Sequence, residues 1–292
     1  MTFLVASSTL AIRSATRNGR EGIRVAVTPL AHTRAVGLEL PASLSPSKVV
    51  SFKDCALAFK FSAIDRLPEP PSPPAAKGTL VHRALELLYG REPLDRTIEN
   101  ALLDLDRAWD DVLSSEEYAG MEIPDDFRSS AATLVRRYFD LEDPTKIRPI
   151  GLELFLSTPL NDRVNLRGII DRLELDEDGE LVVTDYKTGK VPGERQEQGR
   201  LTGVHFYSYL CEKLFGRRPA RIQLLYLGEP VAIIATPSEQ STRGLERKVG
   251  AIWTAIERAC ERDDFRPRPS ALCNWCSFKE HCPAFGATAI AS

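Results

Sequence analysis

The sequence lacks three features that would each assign it to a particular class of protein. It contains no run of about 18 apolar residues, so we expect no membrane span. Its 38 Lys and Arg residues are outnumbered by 41 Asp and Glu residues. The net charge of −3 argues against binding to nucleic acid through overall charge, although it allows a local basic groove. The sequence G-x-x-x-x-G-K-[ST] is also missing, so no nucleotide-driven motor is evident.

The composition is that of a globular protein. Of the 292 residues, 43% are hydrophobic and 27% are charged. This length allows one large domain or two smaller ones, with ample chain to form a core. Six cysteines in a chain without a clear secretory signal suit a reducing compartment. We therefore expect a cytoplasmic protein.

Both ends of the chain are expected to lie outside the main domain. Residues 1–42 are rich in Ser, Thr, Ala and Arg, and the first acidic residue is Glu21. This composition resembles a transit peptide, but an extended tail or a start codon upstream of the true one explains it as well. The stretch from Ile23 to Val27 could be an edge strand. We assign residues 1–42 no function, place the main domain at 43–286 and treat 287–292 as a tail.

The chain is organised around Leu166–Lys190, which predicts a β-hairpin. Two apolar strands flank an acidic turn whose Asp-Gly step favours a tight hairpin connection. Because strand side chains alternate, Asp185 and Lys187 share one face of the second strand, while Asp171 lies on the first. Converging carboxylates beside a lysine suit Mg²⁺ or Mn²⁺. A solvated hairpin with an incidental Asp–Lys pair is the simpler alternative.

The order of the predicted elements is typical of an α/β domain. Helices come first, followed by three strands, a helix, two strands and a last helix, which predicts a mixed sheet with helices around it. Two amphipathic helices within about 92–148 are interpreted as a helical insertion that covers the core. The proline-rich stretch 67–76 is predicted to be a loop. A capping box that starts at Thr236 is expected to begin the last helix.

Two further helices carry polar side chains of interest. His82 lies in a helix predicted to begin near Lys77, away from its apolar stripe. A lone histidine in that position usually makes a structural hydrogen bond, so it becomes a functional candidate only if the fold brings it to the hairpin. After the hairpin, a helix predicted over 199–215 places His205 and Tyr209 on a common face.

A cysteine motif near the C-terminus predicts a metal or cluster site. Three cysteines follow the spacing C-x2-C-x5-C, with a proline after the last: Cys273, Cys276 and Cys282. This spacing favours metal or cluster binding over a disulfide framework. His281 could complete a zinc site, whereas a distant thiolate could complete an iron–sulfur cluster. Cys211 and Cys260 fit better as small core residues, which leaves Cys55 as the distant candidate.

Six motifs in one order carry a resemblance to a known family. They are Gly78-Thr-Leu-Val-His82, Gly151-Leu-Glu153, Gly168-Ile-Ile-Asp171-Arg172, Asp185-Tyr-Lys187-Thr-Gly, His205-Phe-Tyr-Ser-Tyr209 and the cysteine set. From about Leu44 to Phe285 the chain resembles a RecB-family exonuclease of the PD-(D/E)XK nuclease superfamily, in the iron–sulfur branch shared with AddB and the CRISPR adaptation nucleases. The resemblance implies a restriction-endonuclease-like mixed central sheet flanked by helices, with the helical insertion and a C-terminal cysteine cluster.

The resemblance also implies a role for each matched residue. The implied catalytic residues are Asp171, Asp185, Lys187 and, as a weaker match, Glu153. The implied ligands of Mg²⁺ or Mn²⁺ are His82, Asp171, Asp185 and the backbone carbonyl of Tyr186. Lys187 would orient or activate the attacking water. A [4Fe–4S] cluster, with Zn²⁺ as the alternative, would be held by Cys55, Cys273, Cys276 and Cys282 and would join the two ends of the domain.

The implied activity is metal-dependent hydrolysis of DNA that carries single-stranded ends, as an exonuclease in repair or recombination. Without its own motor, the chain is expected to act alone or beside a separate helicase. The side chains expected to contact DNA are His205, Tyr209, Arg172, Arg167, Arg195 and Arg200. His205 departs from the family, which usually has glutamine there, and its charge would vary near neutral pH. A catalytically inactive DNA-binding or scaffold module of the same fold is the alternative.

Overall fold

A mixed eight-stranded sheet with helices packed against it forms the centre of the protein, which confirms the predicted fold class. The structure is a computed structural model that describes residues 11–17, 20–26, 37–191 and 193–286, without the side chains of 11–26 and 194–202. In this part of the chain, no helix is long and apolar enough to cross a membrane.

Seven strands form the sheet in the order β1-β2-β4-β5-β6-β7-β8, and β3 pairs with β5 beside this path. The strands are β1 (Ala11–Arg17), β2 (Arg20–Ala26), β3 (Ser43–Leu44), β4 (Pro149–Leu160), β5 (Val164–Leu175), β6 (Leu181–Lys187), β7 (Arg221–Tyr226) and β8 (Val231–Ala235). The pairs β2–β4, β3–β5 and β6–β7 are parallel, and the others are antiparallel. The strand predicted from Ile23 is part of β2, but its predicted edge position is wrong because β1 lies outside it.

Seven α-helices surround this sheet in the described part of the chain. They are α1 (Pro46–Asp54), α2 (Ala56–Phe59), α3 (Pro73–Tyr89), α4 (Ile98–Leu113), α5 (Phe127–Tyr138), α6 (Glu194–Phe215) and α7 (Glu239–Arg262). A short π-helix, Lys60–Ile64, follows α2. The two helices predicted within 92–148 are confirmed as α4 and α5.

Three predicted helix starts are wrong. The helix predicted from 199 begins at Glu194, and the other two differ for reasons of local chemistry. The proline-rich stretch does not end as a loop, because Pro73 and Pro74 form the first turn of α3. Proline fits there because the first N–H groups of a helix have no partner within the helix. The last helix is capped by Ser238 rather than by Thr236. The Ser238 hydroxyl accepts from the N–H of Ser241, and the Ser241 hydroxyl accepts from the N–H of Ser238.

The core consists of two hydrophobic clusters. The first, here called the α6–α7 cluster, joins residues of α6 and α7 such as Phe206 and Trp253 to strand residues such as Ile170. The second, the α3–α5 cluster, joins α3, α4 and α5 to Tyr186 and Leu225 of the sheet. The strands that carry the predicted acidic residues therefore run between two packed layers.

The predicted hairpin is formed by β5 and β6. Gly179 adopts the left-handed conformation with φ 74° that the turn requires. The Asp176 carboxylate accepts hydrogen bonds from the N–H groups of Asp178 and Glu180. The acidic turn is thus stabilised by its own side chain, and the turn residues take no part in the site described next.

Candidate active site

Four elements bring acidic, basic and imidazole side chains together at one point of the sheet. Asp171 comes from β5, Asp185 and Lys187 from β6, Glu153 from β4 and His82 from α3. One ligand atom from each of His82, Glu153 and Asp171 lies within 4.8 Å of the others. Asp185 forms an ion pair with Lys187 beside them. Because the fold places His82 beside these carboxylates, it is a candidate functional residue and not only a structural one.

Two motif glycines allow helices to approach this point closely. A Cβ atom on Gly78 would lie 3.3 Å from Oγ1 of Thr188, so the glycine lets α3 pack against the end of β6. A Cβ atom on Gly168 would lie 3.1 Å from Cε1 of Tyr207. Glycine at these positions thus brings α3 and α6 near the carboxylates.

His82 is held in a defined orientation. Its Nε2 lies 3.1 Å from the carbonyl oxygen of Tyr186. Because a carbonyl oxygen can only accept, this contact requires the proton on Nε2. Nδ1 then faces Oδ2 of Asp171 at 3.5 Å and Oε1 of Glu153 at 3.9 Å. The Tyr186 carbonyl was predicted as a metal ligand; the structure shows it as the group that orients the imidazole.

The surrounding carboxylates control the charge of His82. Burial lowers the pKa of His82, but Asp171, Glu153 and Asp185 outweigh burial and raise it to about 9. In the metal-free protein, the imidazole therefore carries a proton that a metal ion would replace.

The two buried aspartates have opposite pKa shifts. Burial raises the pKa of Asp171, yet His82, Lys187 and the N–H of Tyr186 hold it below the ordinary value. That N–H donates to Oδ2 of Asp171 at 2.7 Å. Burial raises the pKa of Asp185, and the nearby charge of Asp171 adds to this effect against the attraction of Lys187. Two carboxylates that repel each other at a buried position are typical of a functional site.

Glu153 has an unusual backbone conformation. Its φ of 45° lies in the left-handed region, which non-glycine residues rarely adopt. It lies in β4 between Leu152 and Leu154, which pair with Arg172 and Ile170 of β5. Backbone strain of this kind costs about 1–3 kcal/mol and tends to occur at functional sites. Here it accompanies a carboxylate turned toward His82.

The donor set fits a divalent cation. Carboxylate oxygens and one imidazole nitrogen are suitable ligands for Mg²⁺ or Mn²⁺. The raised pKa of Asp185 and the close approach of Asp171 and Glu153 to His82 both indicate a concentration of negative charge that a cation would relieve. The histidine orientation, with Nε2 donating to a backbone carbonyl, is also the usual arrangement of an imidazole that binds metal through its other nitrogen.

Comparison with known proteins gives the site a family. The family model described as the PD-(D/E)XK nuclease superfamily matches residues 43–283, most of the chain. The chain belongs to this superfamily. Its members are nucleases that use divalent metals, and the site just described lies within the matched residues. No curated protein matches the sequence significantly.

Comparison with solved structures finds two that are similar to this PD-(D/E)XK nuclease. One is a candidate exonuclease from Eubacterium rectale, with a TM-score of 0.52 and 11% sequence identity over 86% of this chain and 90% of that one. The other is the protein SSO0001, with a TM-score of 0.41 and 12% identity over 85% of this chain and 88% of that one. At these identities the first likeness supports the fold alone.

One further residue of this nuclease site, Tyr207, was not indicated by the sequence. Tyr207, on α6, donates a hydrogen bond from its hydroxyl to Oδ1 of Asp185 at 3.4 Å. Burial and the carboxylates of Asp185 and Asp171 raise the pKa of Tyr207 well above its ordinary value, so the hydroxyl keeps its proton. Tyr207 lies two positions before Tyr209, inside the motif quoted for the family. Only the packing against Gly168 reveals which tyrosine faces the carboxylates.

Two residues predicted to contact DNA are buried elsewhere. Tyr209 is 2% exposed, and its hydroxyl donates to the carbonyl of Pro159 at 3.2 Å. Arg172 is fully buried. The predictions for Tyr209 and Arg172 are therefore wrong, because neither side chain reaches a surface where DNA could lie. Arg167 is exposed, whereas the side chains of Arg195 and Arg200 lie outside the described residues.

His205 packs beside α7. It is half-buried, and both burial and the charge of Lys248 lower its pKa. Its Nδ1 is buried without a hydrogen-bond partner among the described residues. Lys248 of α7 is the charged residue that acts on it, and its predicted contact with DNA stays a prediction.

Arg172 is the centre of a buried polar network. Its Nη1 donates to the hydroxyls of Tyr89, Tyr138 and Tyr186 at 2.8, 3.2 and 2.8 Å. Its other donors reach Glu174 at 2.6 Å, Glu142 at 2.9 Å and Thr184 at 3.0 Å. The network fixes the ring of Tyr186, whose backbone lies between Asp185 and Lys187. Arg172 thus connects the helices α3 and α5 to the strands that carry the site.

The four predicted cluster cysteines meet at one cavity. A cavity of about 430 Å³ is lined by Cys55, Cys273, Cys276 and Cys282, although Cys55 lies far from the others in sequence. Backbone N–H groups point at two of the sulfurs: that of Arg268 at Cys55 Sγ, 3.5 Å, and that of Ser270 at Cys273 Sγ, 3.4 Å. Cys211 and Cys260 are buried in the α6–α7 cluster, as predicted. Burial raises their pKa values to about 12 and about 11.

Proposed function

We propose that the chain is a Mg²⁺- or Mn²⁺-dependent deoxyribonuclease of the RecB-like exonuclease type. Its proposed role is to degrade DNA from single-stranded ends during repair or recombination, alone or beside a separate helicase. The observation that carries this proposal is the convergence of His82, Glu153 and Asp171 within 4.8 Å, next to the Asp185–Lys187 pair. Membership of a nuclease superfamily supports it.

The side chains suit the hydrolysis of a phosphodiester. His82, Asp171, Asp185 and Glu153 would hold a divalent cation, which when bound polarises a phosphate oxygen and lowers the pKa of a water molecule. Lys187 would hold that water or stabilise the charge that develops on the phosphate. Tyr207 keeps the Asp185 carboxylate in position through its hydrogen bond. The buried surroundings strengthen each of these electrostatic contacts.

End-labelled single-stranded and double-stranded DNA, incubated with each metal in turn, tests this proposal. The expected result is degradation with Mn²⁺ or Mg²⁺ that progresses from the ends, and none with EDTA. DNA binding without cleavage under any metal would instead support the inactive DNA-binding or scaffold alternative. Cleavage only of circular DNA would contradict the exonuclease part of the proposal.

We further propose that the cysteine cavity holds a [4Fe–4S] cluster rather than zinc. Four thiolates around one zinc ion, each at about 2.3 Å, would lie about 3.8 Å from one another. Within the described part of the chain, one group of three or more His, Cys, Asp or Glu residues has all its ligand atoms within 4.8 Å of one another. That group is His82, Glu153 and Asp171. No three of the four cysteine sulfurs therefore lie within 4.8 Å of one another in this part of the chain, and all four cysteines line a cavity of about 430 Å³. The N–H groups aimed at Cys55 and Cys273 suit bound thiolates.

Purification without oxygen, followed by visible absorption and metal analysis, separates these two possibilities. A brown protein that contains iron and sulfide is expected. A colourless protein loaded with zinc would support the structural-zinc alternative, with His281 or Cys55 as the fourth ligand.

A further inference from the structure

The backbone pairing between β5 and β6 ends just before the candidate site, at Arg172 and Thr184. Beyond this point, side chains bond to the backbone of β6 in place of a strand. The N–H of Tyr186 donates to Oδ2 of Asp171 at 2.7 Å, and its carbonyl oxygen accepts from Nε2 of His82 at 3.1 Å. The backbone of one residue thus orients two of the proposed metal ligands.

The side chain of Tyr186 is buried and held at several points. Its ring centroid lies 5.8 Å from that of His82, with the two rings nearly perpendicular at 85°. On another side it lies 5.8 Å from the ring of Tyr138, at 84°. Its hydroxyl accepts a hydrogen bond from Nη1 of Arg172 at 2.8 Å. A ring that is packed at its edges and bonded at its hydroxyl limits the movement of the backbone to which it is attached.

Arg172 contacts each of the three elements that supply the proposed aspartate and histidine ligands. It follows Asp171 directly on β5, and its Nη2 donates to Oγ1 of Thr184 on β6 at 3.0 Å. Its Nη1 donates to the hydroxyl of Tyr89 at 2.8 Å. Tyr89 lies on α3, about two turns after His82. Because the donors of a guanidinium lie in one rigid plane, these bonds fix the three elements relative to one another.

We propose that Arg172 is a positioning residue for the metal site. Through the hydroxyl of Tyr186 it holds the backbone groups that orient His82 and Asp171 toward the ion. This inference rests on the proposed function, since it concerns the affinity of that site for Mg²⁺ or Mn²⁺. Removing the outer hydrogen-bond partners of metal ligands lowers metal affinity or activity by about 10–100-fold.

A purely structural role for the Arg172 network is the competing explanation. It predicts that changes in the network lower the stability of the protein and leave its affinity for metal unchanged. Replacing Arg172 itself would not separate the two explanations, because Glu142 and Glu174 would both lose the charge that balances them. The tyrosine hydroxyls offer a milder change.

Binding of Mn²⁺ to the full chain without DNA, measured by calorimetry and by electron paramagnetic resonance, tests the inference. Tyr186→Phe removes the hydroxyl that accepts from Arg172 and keeps the ring and the backbone. It should raise the Kd for Mn²⁺ about tenfold. An unchanged Kd in Tyr186→Phe would overturn the inference.

Tyr138→Phe is the matched control. The Tyr138 hydroxyl also accepts from Nη1 of Arg172, at 3.2 Å, and it donates to Glu142 at 3.1 Å. Tyr138 lies on α5, however, which carries none of the proposed ligands. Tyr138→Phe should therefore lose stability in urea denaturation and keep the Kd of wild type. An equal rise of Kd in both variants would overturn the inference, because metal binding would then follow the stability of the network.

Degradation of an end-labelled oligonucleotide at increasing Mn²⁺ concentrations separates this inference from the proposed function. The concentration for half-maximal activity should rise about tenfold in Tyr186→Phe and stay constant in Tyr138→Phe. A wild-type protein that binds Mn²⁺ but degrades no DNA, with the raised Kd in Tyr186→Phe, would refute the nuclease proposal and keep the positioning role. Degradation by wild type and Tyr186→Phe with the same half-maximal concentration would do the reverse.

Discussion

The hydroxyl of Tyr207 donates a hydrogen bond to the carboxylate of Asp185, whereas the hydroxyl of Tyr209, two residues later, donates to the backbone of Pro159. The two tyrosines lie on the same helix but bond to different parts of the protein. Tyr207 holds a carboxylate of the candidate site, and Tyr209 joins α6 to the end of β4. This difference can be measured.

Tyr207→Phe is expected to lower kcat about tenfold or more and to raise the Mn²⁺ concentration needed for half-maximal activity. A hydrogen bond to a charged group contributes about 1.5–3 kcal/mol, and Asp185 would lose its fixed orientation. Tyr209→Phe is the matched control, and it should lose about 1 kcal/mol of stability with normal kcat. If Tyr209→Phe lost the activity while Tyr207→Phe retained it, Tyr209 and not Tyr207 would be the tyrosine that supports the site.

Asp185→Asn should abolish metal-dependent DNA degradation and remove the stabilisation of the protein by Mn²⁺. A ligand present at 100 times its Kd stabilises the folded protein by about 2.7 kcal/mol, and the wild-type melting temperature should rise accordingly. Without metal, Asp185→Asn should melt no lower than wild type, because burial and Asp171 already raise the pKa of this carboxyl. Thermal melting with and without Mn²⁺ measures both effects.

Asp178→Asn, in the exposed hairpin turn, is the control for that experiment. It removes one carboxylate without touching the site, and its Mn²⁺-dependent shift should equal that of wild type. A full shift in Asp185→Asn would remove this residue from the proposed ligand set.

Lys187→Ala is expected to bind Mn²⁺ and still fail to degrade DNA, because the lysine is assigned to the water and not to the metal.

Cys55→Ser should remove the visible absorption of the protein and most of its iron, and it should lower the melting temperature. Cys55 lines the same cavity as the three C-terminal cysteines, so a cluster there ties α1 to the C-terminal region. Cys211→Ser is the matched control. It places a hydroxyl in the α6–α7 cluster and should destabilise the protein with its iron content intact. Full iron content in Cys55→Ser would mean that another group completes the site.

Arg172→Met should destabilise the protein by about 3–5 kcal/mol, because Glu142 and Glu174 would lose the positive charge that balances them. Denaturation with urea measures this loss. Arg217→Met is the control, since Arg217 forms an exposed ion pair with Glu180 and such pairs contribute little. A stable Arg172→Met protein whose affinity for DNA depends less on salt concentration than that of wild type would support the predicted contact of Arg172 with DNA.

The sequence was sufficient to predict the mixed sheet and the hairpin that carries three residues of the candidate site, because alternation and turn chemistry are local. Asp171, Asp185 and Lys187 are close in a hairpin whatever the rest of the chain does. His82 could be placed at the site only through the resemblance, and Cys55 became a candidate only because the other two cysteines fit the core, since the partners of both residues lie on distant elements. The sequence did not indicate Tyr207, and it predicted Arg172 at the DNA surface, because the contacts of both residues also depend on distant elements. The face that a side chain presents near a strand or helix crossing depends on the packing of α3, α5 and α6.

The Arg172 network also has a consequence for how the protein unfolds. Arg172 bonds to tyrosines of α3 and α5, while its neighbours Ile170 and Leu173 belong to the α6–α7 cluster. The α3–α5 cluster cannot separate from β5 without exposing this buried network, and β5 also carries core residues of the α6–α7 cluster. The two layers are therefore expected to melt together, in one cooperative transition with equal calorimetric and van't Hoff enthalpies. In Arg172→Met this connection between the two layers is lost. The thermal unfolding transition should therefore become broader and move to a lower temperature.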